Sequence, residues 1–98
     1  MPKLFVYRGI TLFFYSNEHE PIHVHAHCQG NEIKIIFHIK EGKIVNVQYK
    51  TLYGKFSPVK MKQLKRLIST YKMDIVKYWV DFFILKKQVP FHRINKRL

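Results

Sequence analysis

The chain has 98 residues, of which 47% are hydrophobic and 15% aromatic, and it carries a formal net charge of +12. This composition excludes a disordered chain and an array of domains, and it predicts a single domain over residues 1–98. The single cysteine excludes a disulfide framework, and no apolar run approaches the roughly 20 residues of a membrane span. We therefore expect a cytoplasmic protein with no membrane partner.

The positive charge is concentrated in the second half of the chain. Residues 1–49 carry five Lys and Arg against four acidic residues, whereas residues 50–98 carry thirteen against two. Such asymmetry indicates a polyanionic partner, because so many like charges repel one another without it. The partner that we expect is nucleic acid, RNA in particular, and the alternative partner is an acidic protein. A surface that serves only solubility would show the same charge.

Residues 1–50 are predicted to be mainly β. Apolar and polar residues alternate along short segments that glycine-containing turns separate. The predicted strands are residues 3–7, 10–15, 22–28, 32–39 and 43–50. They indicate an antiparallel sheet of about four or five strands.

The hairpin formed by the third and fourth predicted strands has two unlike faces. With Gly30-Asn31 as its two-residue loop, residue i pairs with residue 61 − i, and His23 lies opposite His38. Side chains alternate along a strand, so one face is apolar throughout. That face carries Val24, Ala26, Cys28, Ile33, Ile35, Phe37 and Ile39. The other face is mostly polar and carries His23, His25, His27, Lys34, Ile36 and His38.

Residues 57–87 are predicted to be helical. Ser57 and Pro58 suit the N-cap and the first helical position, and apolar residues then recur at steps of three and four. A single helix of this length is long for so small a domain, so we expect two helices with a break in residues 69–74, the second capped by Asp74 or Thr70. Residues 88–98 are predicted to be a basic tail, either an ordered edge segment around residues 89–91 or a basic arm. The predicted fold class is α+β, with one or two C-terminal helices packed on the apolar face of the sheet.

Four of the six histidines lie between His19 and His27. Imidazole is the commonest metal ligand in proteins. Alternate residues of a strand lie about 6.5–7 Å apart and can share an ion, whereas positions i and i+4 lie about 13 Å apart and cannot. The spacing therefore predicts a metal site at His23 and His25, completed by His19 from the loop or by His38 across the hairpin. Three imidazoles suit a divalent transition metal such as zinc.

The same histidines also suit acid–base catalysis without a metal. Two imidazoles about a phosphate's width apart can act as base and acid in cutting RNA. The candidate catalytic residues are His19, His23 and His25. Glu18 and Glu20 lie close enough in sequence to act as a ligand, as partners of the ligands or as a base. A polar face with hydrogen-bonded histidines is the alternative to both kinds of site, so whether the chain is an enzyme stays open.

Basic side chains of the second half lie opposite the apolar helical stripe, with few acidic residues among them. This pattern favours contact with phosphates. The candidate nucleic-acid-binding residues are Lys60, Lys62, Lys65, Arg66, Lys72, Lys86, Lys87, Arg93, Lys96 and Arg97. The first function that we expect is a nucleic-acid-binding module. The alternative is a small His-dependent hydrolase or ribonuclease, with or without a metal.

The segment from Asn17 to Ala26 resembles a small bacterial family, the domain of unknown function 4160. The family pattern is an aromatic-Gly strand pair, an Asp-His-x-Pro-Pro-His-Phe-His motif, a Gly turn and a helical region that holds a Trp. The matching residues are Tyr7, Gly9, His19, Pro21, His23, His25, Gly30 and Trp79. Ile22 and Val24 replace the second Pro and the Phe, and His27 stands where an acid is common. The resemblance implies the toxin or regulatory half of a toxin–antitoxin-type pair, with a cognate antitoxin-like protein and an RNA target.

Overall fold

The computed structural model describes residues 2–98 as six strands and one helix. The strands are β1 (Lys3–Tyr7), β2 (Ile10–Phe13), β3 (His23–Cys28), β4 (Asn31–Lys40), β5 (Lys43–Tyr53) and β6 (His92–Ile94), and the helix α1 is Pro58–Phe83. They form one sheet in the order β5-β4-β3-β2-β1-β6, antiparallel except where β1 and β6 pair in parallel. The α+β class is confirmed. The sheet differs from the prediction in having six strands of mixed direction.

Two-residue turns join β1 to β2, β3 to β4 and β4 to β5, and the second residue of each turn is glycine. In Arg8-Gly9, Gln29-Gly30 and Glu41-Gly42 both residues have positive φ, between 49° and 80°. Two consecutive positive φ values are typical of the type I′ turn, whose twist matches that of the flanking strands. The hairpins are therefore closed by two-residue loops that all have the same geometry.

The predicted Gly30-Asn31 loop is wrong by one residue. Cys28 pairs with Asn31 across the Gln29-Gly30 turn, so residue i pairs with residue 59 − i and His23 lies opposite Ile36, not His38. Moving the loop by one residue shifts each pair by two positions, so the side chains keep their faces because the period of a strand is two. The assignment of the two faces is thus correct although the register is not.

The hydrophobic core lies between α1 and the apolar face of the sheet. Val24, Ala26, Ile33 and Ile35 are each at most 2% exposed, whereas Ile39, at the end of the predicted apolar row, is 39% exposed. From the helix, the buried residues are Leu64, Leu67, Ile68, Ile75 and Trp79. The apolar stripe of α1 covers the centre of the sheet and leaves the far end of β4 in solvent.

The helix is continuous where a break was predicted, and it ends at Phe83, not at residue 87. The Thr70 hydroxyl donates to the Arg66 carbonyl oxygen at 2.8 Å, so it bonds to its own helix instead of capping a second one. Tyr71 stacks on Phe5 with ring centroids 4.6 Å apart, which anchors the middle of α1 to the sheet. Within residues 2–98, no helix is apolar enough over a sufficient length to span a membrane.

The predicted basic tail contains the sixth strand. β6 pairs with β1, with Phe5 opposite His92 and Tyr7 opposite Ile94. The His92 ring stacks on Phe5 at 5.1 Å, and its Nε2 lies 3.1 Å from the Tyr78 hydroxyl. These contacts hold the segment as an edge strand beside β1.

Candidate functional site

The polar face of the sheet is buried where β2, β3 and β4 meet. His23, His25 and Glu32 are 2%, 4% and 5% exposed. The His25 ring stacks on Phe13 with centroids 5.6 Å apart and meets the edge of Tyr15 at 4.5 Å. Phe13 of β2 and Tyr15 after it therefore cover His25, whose ring lies 5.2 Å from that of His23, in a second, polar interior.

Glu18 joins the two imidazoles from the loop between β2 and β3. Its Oε2 contacts Nε2 of His23 and lies 2.9 Å from Nε2 of His25, while its Oε1 accepts from the Tyr15 amide at 3.0 Å. Burial acts to raise the pKa of Glu18, but the contacts with His23, His25 and the Tyr15 amide outweigh burial and lower it. The carboxylate is thus held in its charged form between the two rings.

The second nitrogen of each ring also has an oxygen beside it. The Nδ1 of His23 donates to the Pro21 carbonyl oxygen at 2.6 Å. The Nδ1 of His25 lies 3.4 Å from Oε2 of Glu32, within ion-pair distance but without the alignment of a hydrogen bond. Glu32 in turn accepts from the Tyr15 hydroxyl at 3.0 and 2.9 Å through its two oxygens. Burial, followed by Glu32, raises the pKa of Tyr15 to about 12.

The remaining histidines of the predicted site lie apart from this cluster. His19 is exposed and lines a cleft of about 530 Å³ together with Trp79 and Lys86. His38 is exposed on β4 and bonds to Gln48 at 2.9 Å. The residues whose ligand atoms all lie within 4.8 Å of one another are Glu18, His23 and His25. The structure therefore brings His23 and His25 together. Glu18 takes the third ligand position, which was predicted for His19 or His38.

A second candidate site is a cleft of about 400 Å³ at the start of α1, which we call the basic cleft. It is lined by Tyr7, Arg8, Val59, Lys62, Gln63, Arg66, Arg97 and Leu98. The β1–β2 turn presents Arg8, and Lys60 holds that turn against α1 by donating to the Arg8 carbonyl oxygen at 2.6 Å. Arg66 donates to the main-chain oxygen of Leu98 at 3.0 Å, which brings the end of the described chain to the same place.

The basic cleft has the electrostatics of an anion site. Its lining, all within residues 2–98, contains no acidic side chain. The bond from the Leu98 amide to the Tyr7 hydroxyl lowers the pKa of Tyr7, and the charges of Arg8 and Arg66 lower it further. The Oε1 atom of Gln63 is buried and has no hydrogen-bond partner among the described residues.

The other predicted nucleic-acid-binding residues are spread over the surface. Lys86 and Lys87 line clefts beyond the C-terminal end of α1, and the Lys65 ammonium lies 5.6 Å from the centre of the Tyr49 ring. Arg93 and Lys96 are exposed and Lys72 is half-buried, and all three lie outside the basic cleft. Of the ten predicted residues the cleft contains Lys62, Arg66 and Arg97, and the structure adds Arg8. The sequence signal for Arg8 is its place before Gly9 in a tight turn.

The chain was compared with families, curated proteins and solved structures. Residues 9–80 match the family model described as domain of unknown function (DUF4160). No curated protein and no solved structure matches the chain. The matched stretch runs from the β1–β2 turn into the last turns of α1, so it includes the histidine cluster and part of the basic cleft.

Proposed function

The chain belongs to the DUF4160 family, and we propose that it binds nucleic acid, single-stranded RNA in particular, through the basic cleft. The observation that carries the proposal is the convergence of Arg8, Lys62, Arg66 and Arg97 on one concave surface that has no acidic side chain. Phosphate contacts by Lys and Arg supply most of the affinity of non-specific nucleic-acid binding. Arginine adds a planar set of donors that fits phosphate oxygens.

The start of α1 adds to the positive potential of the cleft. The first turn contains no acidic residue, and the N-cap is the neutral Ser57. The amide groups at a helix N-terminus carry a partial positive charge that favours phosphate. This charge reinforces that of Lys62 and Arg8, which lie beside the same turns of the helix.

An aromatic side chain near the cleft favours single strands. Phe91 is 45% exposed, and the Arg93 guanidinium lies 5.7 Å from the centre of its ring. Ile94 pairs with Tyr7 of the cleft, so Phe91 lies about 10 Å back along the same edge of the sheet. Unpaired bases stack on exposed aromatic rings, whereas the bases of a duplex are stacked on one another and are not accessible to a protein ring.

Hydrolysis at the histidine cluster has less support. The His23 and His25 side chains are 3% and 5% exposed, and neither lines any of the clefts described above. A phosphodiester must reach a catalytic imidazole within hydrogen-bond distance. A role in a toxin–antitoxin-type pair stays a prediction, and an acidic protein partner would compete for the basic cleft.

The test is a titration of a labelled single-stranded RNA of about 20 nucleotides, followed by fluorescence anisotropy. The double variant Lys62→Gln/Arg97→Gln removes two cleft charges that the structure shows in no hydrogen bond. The matched control, Lys40→Gln/Lys43→Gln, removes the same charge from the exposed β4–β5 turn at the other side of the sheet. Each lost phosphate contact weakens binding about fivefold near 0.1 M salt, so we expect a loss of about 25-fold in the cleft variant.

The control variant should bind within about threefold of the wild type, because long-range attraction is screened over about 10 Å at this salt concentration. Equal losses in the two variants would show that net charge, not the cleft, binds the RNA. Absence of wild-type binding at low salt would refute the proposal and leave an acidic protein as the partner.

A further inference from the structure

We propose that Glu18, His23 and His25 bind one divalent transition-metal ion, with zinc as the expected ion. The site is separate from the basic cleft and does not depend on the proposed function. Two imidazole nitrogens and one carboxylate oxygen are the ligand set of many zinc sites and of mononuclear iron sites. The three ligand atoms lie within 4.8 Å of one another. Bonds of about 2.0–2.1 Å in a tetrahedron need separations of about 3.4 Å, so small side-chain movements suffice.

The hydrogen bond of His23 to Pro21 directs the other ring nitrogen, Nε2, at the Glu18 carboxylate. The Pro21 carbonyl oxygen can only accept, so the Nδ1 atom of His23 carries the hydrogen. In the neutral ring the Nε2 atom then presents a lone pair, and it faces the Glu18 carboxylate, which also presents lone pairs. Two acceptors in contact repel each other unless a cation bridges them. A metal ion or a second proton on His23 meets this need, and the experiment below distinguishes the two.

The surroundings of the two imidazoles are those of metal ligands. A ligating histidine nearly always directs its other ring nitrogen to a carboxylate or a backbone carbonyl, which orients the ring and increases its basicity. Here His23 has the Pro21 carbonyl in that position, and His25 has Glu32 at 3.4 Å. Glu32 is itself fixed by the Tyr15 hydroxyl, and the Tyr15 amide holds the second oxygen of Glu18. His23 and Glu18 thus each have a hydrogen-bond partner that leaves one atom directed to the common point, and His25 has the Glu32 carboxylate beside its other nitrogen.

The proposed ion would join two parts of the fold. Glu18 belongs to the loop between β2 and β3, whereas His23 and His25 belong to β3. Three protein ligands leave a fourth position for water, as in open zinc sites. Glu18 also lines the cleft that contains His19 and Trp79, so this is the side from which water reaches the ion. The proposed ion therefore fixes the loop that carries Glu18 against β3, and no reaction is attached to it.

The experiment measures zinc binding to the full chain, prepared without an affinity tag or a metal column and freed of metal with a chelator. Isothermal titration with zinc should give one ion per chain. Glu18→Gln keeps the shape of the side chain and removes its charge, and we expect it to weaken binding at least about 100-fold. Glu32→Gln leaves the three ligands in place and removes the charge of the carboxylate beside His25, and we expect it to weaken zinc binding by about 10- to 100-fold. Zinc should raise the melting temperature of the wild type and leave that of Glu18→Gln unchanged.

The matched control is His19→Asn/His38→Asn, which removes two exposed imidazoles and should bind zinc as the wild type does. Zinc binding that is lost in this control and kept in Glu18→Gln would overturn the assignment. Absence of stoichiometric zinc binding to the wild type would also overturn it and leave a proton on His23 as the bridging cation. If Glu18→Gln does not fold, X-ray absorption spectroscopy of the wild-type zinc complex tests the assignment by counting the imidazoles bound to the ion. Two imidazoles with oxygen ligands support the site, and any other number of imidazoles refutes it.

Discussion

At the scale of single residues, Tyr15 is hydrogen-bonded to both carboxylates beside His25, those of Glu18 and Glu32. Its hydroxyl donates to Glu32, which is 5% exposed, and its amide donates to Glu18. A carboxylate buried to this extent is costly unless its oxygens accept hydrogen bonds. The Tyr15 hydroxyl is therefore expected to stabilise the fold as well as the position of His25.

Tyr15→Phe should lower the free energy of unfolding by about 1–3 kcal/mol, because the bond that it removes is made to a charged group. The control is Tyr53→Phe, which removes a hydroxyl from a tyrosine that is 54% exposed and should change stability by less than about 0.5 kcal/mol. Urea denaturation followed by circular dichroism measures both values. Equal effects of the two substitutions would contradict the role given to the Tyr15–Glu32 bond.

At the scale of elements, α1 is one continuous helix with one N-cap, Ser57. The Ser57 side chain accepts from the Lys60 amide at 3.2 Å, whereas Ser69 lies in the exposed middle of the helix. The Ser57 cap satisfies an amide group that the first helical turn leaves without a partner. A second cap near Ser69 would be needed only if the helix were broken there.

The pair Ser57→Ala and Ser69→Ala tests this continuity. We expect Ser57→Ala to cost about 0.5–2 kcal/mol of stability through the lost cap. Ser69→Ala should be neutral or stabilising by up to about 0.5 kcal/mol, since alanine is the better helix former. Thermal or urea unfolding measures the difference. A comparable loss in Ser69→Ala would indicate that a cap, and hence a break, lies there.

The elements differ in how far their sequence determines them. Alternation alone predicts which residues of β3 and β4 face the core, and Ser57-Pro58 predicts where α1 begins. The sequence does not determine the register of β3 and β4, because Gln29-Gly30 and Gly30-Asn31 both suit a two-residue turn. The backbone geometry of the structure selects Gln29-Gly30. β6 has three residues and pairs with β1 from the far end of the chain, so no local pattern determines that pairing.

At the scale of the whole molecule, the polar cluster and the basic cleft were predictable to different extents. The spacing of His23 and His25 indicates that their rings share a face. Glu18 reaches them only because the loop after β2 folds back over that face, which residue spacing does not determine. The charge of the second half was evident from composition, but its concentration at one cleft depends on Arg8, which the β1–β2 turn contributes from the nearly neutral half.

The central claim is that RNA binds at the basic cleft, and amide chemical shifts measured during an RNA titration test it most directly. In a ¹⁵N-labelled sample, a short single-stranded RNA should shift the amides of Arg8 and Gly9, of residues 59–66 at the start of α1, and of residues 93–98. The amides of Glu41 and Gly42 in the β4–β5 turn should not move. Shifts confined to that turn or to the histidine cluster, with the cleft amides unchanged at saturation, would contradict the account.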